Sequence, residues 1–370
     1  MPDSALTERR RRVSVAAEAH GIDVVLVTPG PDLRYLTGYD AIPLERLTCL
    51  LLPASGDPVL VVPELERPAA LASPAADLAV LSWGETDDPI ALCARHLGRA
   101  ITAMAVDDRM WAEKALRFRD AIPGATQVAA GSLLAEQRMV KDTAEVEHLA
   151  AAGAAIDSVH ARMGEWLRPG RTEREVAFAI ERGIMESGHK RVDFVIVAAG
   201  PNGASPHHAP SAHIIEPGDT VVVDIGGTMP SGYCSDSTRV YSFQAPSQAA
   251  QQQYDVLQAA QEAAVRAVAP GVSAQAVDAA AREVIADAGF GDLYVHRTGH
   301  GIGVETHEPP YIVTGNECPL EAGMVFSVEP GIYDPGHHGA RIEDIVAVTD
   351  SGVRRLNNRP RSLAVLDGRT

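Results

Sequence analysis

Two aspartates, Asp224 and Asp236, stand in the stretch V-V-V-D-I-G-G-T-M-P-S-G-Y-C-S-D, each at an otherwise apolar or small position. Further along come His300 in H-R-T-G-H-G-I-G-V-E-T-H-E, Glu329 in F-S-V-E-P-G-I-Y and Glu343 in G-A-R-I-E-D-I-V. Both glutamates again interrupt strand-like runs, 324–328 and 342–348. Carboxylates buried side by side cannot all stay ionised without a cation, because their repulsion drives a pKa up. For the two aspartates alone, a turn cap beside a solvated acid would explain the pattern equally well, and the other three residues decide against it. Four carboxylates and one imidazole form an oxygen-rich set suited to a pair of hard or borderline divalent ions. Four negative charges balance two dications and leave the site able to hold a bridging hydroxide, a nucleophile strong enough for amide hydrolysis at neutral pH.

The elements that must hold these groups can be read around them. The β-branched run 221–223 gives one strand and the residues up to Asp236 a second, with Gly226, Gly227, Pro230 and Gly232 supplying the turn. Alternation puts Arg341 and Glu343 on one strand face and turns Asp344 away from it. Asp142, with Glu145 as its capping-box partner, opens a helix whose apolar spacing runs on to Trp166. That helix stops at Pro169-Gly170, and Thr172 caps a second one with Glu175. The same order recurs about a hundred residues later: a helix over 247–268, Pro270-Gly271, Ser273 as cap, a helix ending near Gly289, then a strand. Helix, Pro-Gly, cap, helix, strand is an internal repeat of elements, and it predicts a pseudo-twofold domain whose halves bracket one site. His148 and His160, on the first of these helices, read as structural.

Ahead of this domain, residues 4–135 alternate in type. Helices are expected over 4–20, 64–71, 89–97 and 110–118, and strands over 22–28, 48–52, 58–62, 78–81 and 101–106. This is an α/β domain with a mixed sheet and no catalytic motif, so it shapes access or makes a subunit contact. The expected division is 1–137 and 138–370. The 370-residue chain is 46% hydrophobic and 22% charged, ordinary for a globular protein. Its net charge of −17 argues against nucleic acid and anionic lipid as partners. The four cysteines are scattered without a CxxC and no apolar run reaches membrane-spanning length, so a cytoplasmic protein is expected. The glycines around His300 are followed by no P-loop lysine, and they read as permitting close backbone approach to the site.

In order and context, Asp224, Asp236, His300, Glu329 and Glu343 resemble the dinuclear metal ligands of the methionine-aminopeptidase/prolidase, or pita-bread, superfamily. The flanks T-G-H-G-I-G, H-E-P-P, E-P-G-I-Y and R-I-E-D resemble its proline-peptidase branch in peptidase family M24, Xaa-Pro dipeptidase (prolidase) and aminopeptidase P. The likeness spans roughly 138–360, with a looser one before it. One departure is visible: the family usually has one residue fewer between the two aspartates, so the loop at 228–231 is longer here. The resemblance implies an α+β pita-bread domain of antiparallel curved sheet backed by helices, preceded by a smaller α/β creatinase-N-like domain. It also implies that Asp224 chelates one ion, that Asp236 and Glu343 bridge both, and that His300 and Glu329 complete the other. The metal would be Mn²⁺, with Co²⁺, Zn²⁺ or Fe²⁺ admitted by ligand softness.

Further residues match the same pattern. His207 and His307 would donate hydrogen bonds to the substrate carbonyl and the oxyanion, His296 would line a proline pocket, Tyr333 would bond near the metal centre, and Arg341 would orient ligand carboxylates. His208 would point to the other side of its segment, while His189, His213, His337 and His338 read as loop or strand-end residues. The stretch P-D-L-R-Y-L-T-G-Y-D-A-I-P-L-E-R-L resembles a loop that, in homodimers of the family, reaches the partner's site. On it, Arg46 would anchor the substrate carboxylate and Asp40 would face the amino end, with Arg297 as the rival carboxylate partner. The implied activity is hydrolysis of the bond before proline, chiefly in Xaa-Pro dipeptides. Aminopeptidase P action on longer peptides is the first alternative. A creatinase-like C–N hydrolase or a non-catalytic scaffold would have lost ligands that are all present here.

Overall fold

The computed structural model describes residues 3–98 and 101–367. The outer ends of the two expected domains, 1–2 and 368–370, lie outside the described residues, as do 99–100. The chain divides into two compact units, Met1–Arg138 and Met139–Thr370.

The first unit runs α1 (Asp3–Ala19), β1 (Val24–Val27), α2 (Pro31–Thr37), β2 (Cys49–Pro53), β3 (Val59–Pro63), α3 (Arg67–Leu71), β4 (Ala79–Trp83), α4 (Pro89–Leu97), β5 (Ala103–Val106), α5 (Ala112–Ala121), β6 (Thr126–Ala129) and α6 (Gly131–Met139). Its six strands form one sheet in the order β4-β3-β2-β1-β5-β6. β1 pairs antiparallel with β2 and parallel with β5, so the sheet is mixed, as expected. Residues 31–37, read in sequence as the start of a loop, are helical. Pro31 at the first turn pre-sets the backbone, and Gly38 ends the helix in the left-handed region at φ 68°. β6 was not foreseen because this edge strand is mostly exposed and carries no apolar run.

The second unit opens with α7 (Thr143–Ala161), α8 (Met163–Trp166), α9 (Glu173–Glu186), β7 (Arg191–Ala199), β8 (Thr220–Thr228) and β9 (Cys234–Ser242). It continues with α10 (Gln248–Ala267), α11 (Ala274–Asp287), β10 (Gly299–Gly301), β11 (Glu308–Ile312), β12 (Val325–Val328), β13 (Gly331–Asp334), β14 (His338–Arg341), β15 (Asp344–Thr349), β16 (Gly352–Arg355) and β17 (Ala364–Val365). One sheet has the order β17-β9-β8-β7, a second β11-β10-β12-β15-β16, and β13 pairs with β14. Helices back both larger sheets: Ile156, Val176 and Ile180 pack with Val197 and Val223, and Leu257, Val277 and Ile285 with Phe326 and Val346. At roughly 25 cal/mol per Å² of apolar surface removed from water, these two faces are what hold helices to sheets.

The element repeat is visible in the hydrogen bonds. Gly170 N–H donates to Ile215 O and Gly271 N–H to Leu320 O. Glu173 N–H donates to His213 O and Ala274 N–H to Cys318 O, while Arg174 N–H reaches Ser211 O and Gln275 N–H reaches Asn316 O. Both Pro-Gly turns thus close on the connection that leads into the next strand of their own half. Two details differ from the sequence reading. The long first helix breaks at Arg162 into α7 and α8, and Ser273 occupies the cap position of α11 without a side-chain capping bond.

Candidate metal centre

β8 and β9 form an antiparallel hairpin in which Gly226 faces Asp236 and Asp224 faces Thr238. The two aspartates are therefore diagonal neighbours on one face, close enough for their carboxylates to meet. Gly226 and Gly227 belong to β8 and not to the turn, which lies beyond Thr228 and uses Gly232 at φ 88°. A side chain at Gly226 would strike Phe194 and the Ser235 carbonyl, so close packing explains that glycine. The longer loop leaves the register intact. His300 is the middle residue of β10, Glu329 follows β12 directly, and Glu343 sits between β14 and β15, bridging to Thr238 across the two sheets.

Three sets of possible ligand atoms gather here, each set within 4.8 Å: Asp224, Asp236 and Glu343; His300, Glu329 and Glu343; and Asp236, His300 and His307. The five expected ligands are brought together, and His307, expected outside the set, also comes within reach. Asp224 Oδ1 and Glu343 Oε1 are buried and receive no hydrogen bond. Their other oxygens are held, Asp224 Oδ2 by Arg341 and Glu343 Oε2 by Thr238 Oγ1 at 2.8 Å. Bare carboxylate oxygens in a dry acidic cluster are costly alone, and they fit divalent cations. Burial, then the charges of Glu343, Asp224 and Glu329, push the Asp236 carboxyl well above the usual range. Burial and the neighbouring acids do the same to Glu343. Burial works against Glu329 too, but the hydrogen bond and charge of His300, with His296 and Arg341, outweigh it and hold that group at about 2.

His300 is oriented from behind. Its Nδ1 lies 3.1 Å from Gly301 O, and its backbone N–H donates to Ser327 Oγ at 3.0 Å. Nδ1 faces a carbonyl, so Nε2 is the nitrogen turned to the acids, 3.1 Å from Glu329 Oε1; it donates to Glu329 and would give up that proton to serve as a ligand. Ser327 also donates to Glu329 Oε1 at 3.0 Å. The glycines flanking His300 meet neighbouring backbone: a Cβ at Gly299 would collide with Ser327 O, and one at Gly301 with Pro309 O. The close approach is thus to adjacent strands rather than to the metal position.

The remaining expected residues of this unit line or edge the same cavity of about 860 Å³. His207, His296, Arg297, His307 and Arg341 line it, beside Phe194, Ile196 and Val295. Arg341, at the end of β14, donates to Asp224, to Tyr333 Oη at 2.7 Å and to the Pro206 carbonyl at 3.3 Å. Tyr333 Oη lies 2.8 Å from His296 Nε2, whose Nδ1 faces Arg297 O at 2.7 Å, so the tyrosine hydroxyl donates to an imidazole of fixed tautomer. The His307 ring meets His300 edge-on at 4.1 Å between centroids. Desolvation, then the charges of His300 and Arg297, push His307 down to about 4, although its side chain reaches solvent. The Arg297 guanidinium stacks on Tyr311 at 4.5 Å.

Asp40 and Arg46 belong to the N-terminal unit. There Arg46 pairs with Glu45 and Glu85, and Asp40 lies 3.6 Å from Arg34. His208 turns from the cavity to Glu173, as expected, although the segment is a turn there and not extended. Asp344 is held by Arg239, Arg355 and Arg361, and His160 by Tyr241 and Ser237. His189, read as a loop or strand-end residue, is buried with its Nε2 2.8 Å from Ser235 Oγ. Sequence reading missed Thr238 and Ser327; each sits two residues from a ligand acid, and strand alternation would have put both on the ligand face.

Among known families, residues 147–350 match Metallopeptidase family M24 and residues 9–140 match the Creatinase/Prolidase N-terminal domain. A probable dipeptidase PepE of Mycobacterium bovis is 51% identical over 98% of both chains. An Xaa-Pro dipeptidase of Lactobacillus delbrueckii subsp. lactis is 35% identical over 94% of this chain and 96% of its own. The crystal structure of dipeptidase PepE from Mycobacterium ulcerans, 52% identical, superposes with a TM-score of 0.93 over 99% of each chain. The fold is therefore a pita-bread domain behind a creatinase-type N-terminal domain, and the chain is a peptidase belonging to metallopeptidase family M24.

Proposed function

We propose that this enzyme hydrolyses the peptide bond before proline in Xaa-Pro dipeptides, using two divalent ions, with Mn²⁺ the native metal. The observation that carries the reading is the gathering of Asp224, Asp236, His300, Glu329 and Glu343 under a cavity that also presents three histidines. Asp224 would hold one ion, His300 and Glu329 the other, and Asp236 and Glu343 both. When bound, the ions supply Lewis-acid charge for the carbonyl and water of lowered pKa at neutral pH. The chain's own residues do the rest. His207 and His307 donate to the carbonyl oxygen as it gains charge. His296, fixed by Tyr333, walls the proline ring, and Arg341 keeps Asp224 in place.

Proline's nitrogen carries no hydrogen, so a clamp that needs a backbone N–H there fails, while recognition through the carbonyl does not. Arg297 anchors the free carboxylate of the dipeptide, its plane already fixed on Tyr311. In a cytoplasmic homodimer, the N-terminal unit would shape access, and Arg46 and Asp40 would approach the second copy's cavity. Among the described residues no helix is long and apolar enough to cross a membrane. The test is hydrolysis of Xaa-Pro against Xaa-Pro-Xaa by protein stripped with chelator and reloaded with Mn²⁺. Faster cleavage of the tripeptide would make the enzyme an aminopeptidase P, and no cleavage of either would end the reading.

A further inference from the structure

Among the described residues, Glu173 and Asp278 are fully buried carboxylates outside the ligand set, one on α9 and one on α11. Glu173 is the first residue of α9, and Asp278 lies one turn further along α11. Glu173 Oε1 accepts from Ala199 N–H at 2.9 Å and Asn202 Nδ2 at 3.0 Å. Its Oε2 accepts from His208 Nε2 at 2.7 Å, Ser211 N–H at 3.0 Å and Ser211 Oγ at 2.7 Å. Those donors bracket His207 on both sides. Asp278 Oδ1 accepts from Thr298 N–H at 3.1 Å and Thr298 Oγ1 at 2.7 Å, and its Oδ2 from Thr314 Oγ1 at 2.8 Å and Arg282 Nε at 2.7 Å. Arg282 in turn donates to the His296 carbonyl at 2.5 Å. These bonds fall between and beside His296 and His300.

We propose that Glu173 and Asp278 are paired positioning residues, each locking the histidine-bearing segment of its own half onto the helix layer, Glu173 for His207 and Asp278 for His296 and His300. The proposal rests on the peptidase reading above. The segment 200–211, which has no strand pairing, must find partners for its polar groups, and the approach to β10 at 294–298 must do so as well. A single buried carboxylate offers four lone-pair sites, enough to collect a whole turn of donors. The two acids do not occupy equivalent positions of the repeat, where Glu173 corresponds to Ala274, so each half meets the same need with a different residue. Glu173 is not the sole tether of its segment: Gly203 packs against the backbone of Gly339, and Arg341 holds the Pro206 carbonyl. Removing the carboxylate should loosen His207 without unfolding the unit. Asp278 acts on a ligand, so its loss should reach the metal.

The test uses Glu173→Gln and Asp278→Asn in the full chain, with Mn²⁺ affinity, kcat and KM on an Xaa-Pro dipeptide, and hydrogen exchange of peptides spanning 199–211 and 294–301. Glu173→Gln should bind Mn²⁺ as wild type does, exchange faster over 199–211, and lose about 10-fold in kcat with KM unchanged. Asp278→Asn should exchange faster over 294–301 and weaken Mn²⁺ binding about 10–100-fold. In a His207→Ala background, Glu173→Gln should change kcat by less than about twofold, because it acts through that histidine. Should either amide variant not fold, Glu173→Asp or Asp278→Glu replaces it, with the same direction expected in every readout. Wild-type kcat in Glu173→Gln, an undiminished loss in the His207→Ala background, or unchanged Mn²⁺ affinity in Asp278→Asn would overturn the proposal. If the wild-type enzyme fails to cleave Xaa-Pro at all, the substrate reading falls, and exchange and Mn²⁺ binding still decide the positioning roles.

Discussion

Asp107 in the N-terminal unit and Asp224 in the C-terminal unit are both buried, 4% and 7% exposed, and their surroundings differ in kind. Asp107 accepts from Thr28 N–H and Oγ1 at 2.7 Å each and from Arg109 N–H at 2.9 Å, so both of its oxygens are occupied. Asp224 keeps one oxygen bare beside two further acids, and Glu343 does the same. Asp344 shows that the C-terminal unit can satisfy a buried acid fully when the task is structural. Burial of an acid therefore says little about function. Missing donors, in the company of other acids, say much.

The largest expected effects test that contrast directly. Asp236→Asn or Glu343→Gln should lower metal content to one ion or none and cut kcat/KM by more than the about 10–100-fold typical of residues that only support a ligand. Asp107→Asn should leave kcat/KM unchanged and lower Tm alone, since one acceptor is exchanged for a donor. Full metal and full activity in either ligand variant would erase the difference between the two units. Next in size are His207→Ala and His307→Ala, each expected to keep its metal and lose about 10²–10³ in kcat, the cost of one oxyanion donor. Metal analysis of His307→Ala carries extra weight because that ring lies within ligand distance of Asp236 and His300. Loss of an ion there would make His307 a ligand.

A smaller effect separates the two arginines. Arg297→Ala should raise KM for Xaa-Pro about 10–100-fold, the worth of a charged hydrogen bond, and barely alter hydrolysis of the Xaa-Pro amide. Arg46→Ala should do less, its guanidinium being shared with Glu45 and Glu85. Equal losses on acid and amide for Arg297→Ala would remove it as the anchor. The smallest effect is one of sign with pH. Burial raises the Asp107 pKa above its ordinary value, so its contribution to stability is greatest below about pH 4 and is lost as pH rises through the folded pKa. Burial also acts on Glu173, but the bonds from Ala199, Asn202, His208 and Ser211 outweigh it and lower the pKa. Its contribution is present above about pH 4.3 and is lost as pH falls. Thermal melts should show the Tm cost of Asp107→Asn shrinking towards neutral pH while that of Glu173→Gln grows.

Sequence alone made the metal-binding candidates legible because an acid inside an apolar strand run is an anomaly that needs a cause. The repeat was legible because Pro-Gly and a hydroxyl cap punctuate a helix pair wherever they occur. Glu173 and Asp278 were not. On a helix, an acid in or near the first turn reads as a favourable partner of the helix dipole facing water, and Glu173 stands two residues from the genuine capping-box Glu175. What buries it is a segment more than twenty-five residues downstream folding over it, which no local pattern announces. Gly226 and Gly227 misled for the opposite reason: glycine suggests a turn, whereas here it makes room for Phe194 and for the side chain of His189. Pairing of Arg46 with Glu85 likewise joins residues far apart in the chain, beyond the reach of a reading by spacing.

The bridge between Thr238 and Glu343 joins residues 105 apart in the chain and ties one sheet to the other at the metal position. During synthesis the hairpin with Asp224 and Asp236 is complete long before His300, Glu329 or Glu343 has left the ribosome. A nascent chain therefore owns two of the candidate ligand acids and not the candidate ligand imidazole, and it cannot yet assemble the full candidate set. Dividing the candidate ligands between the halves of the repeat ties assembly of the site to completion of the second half.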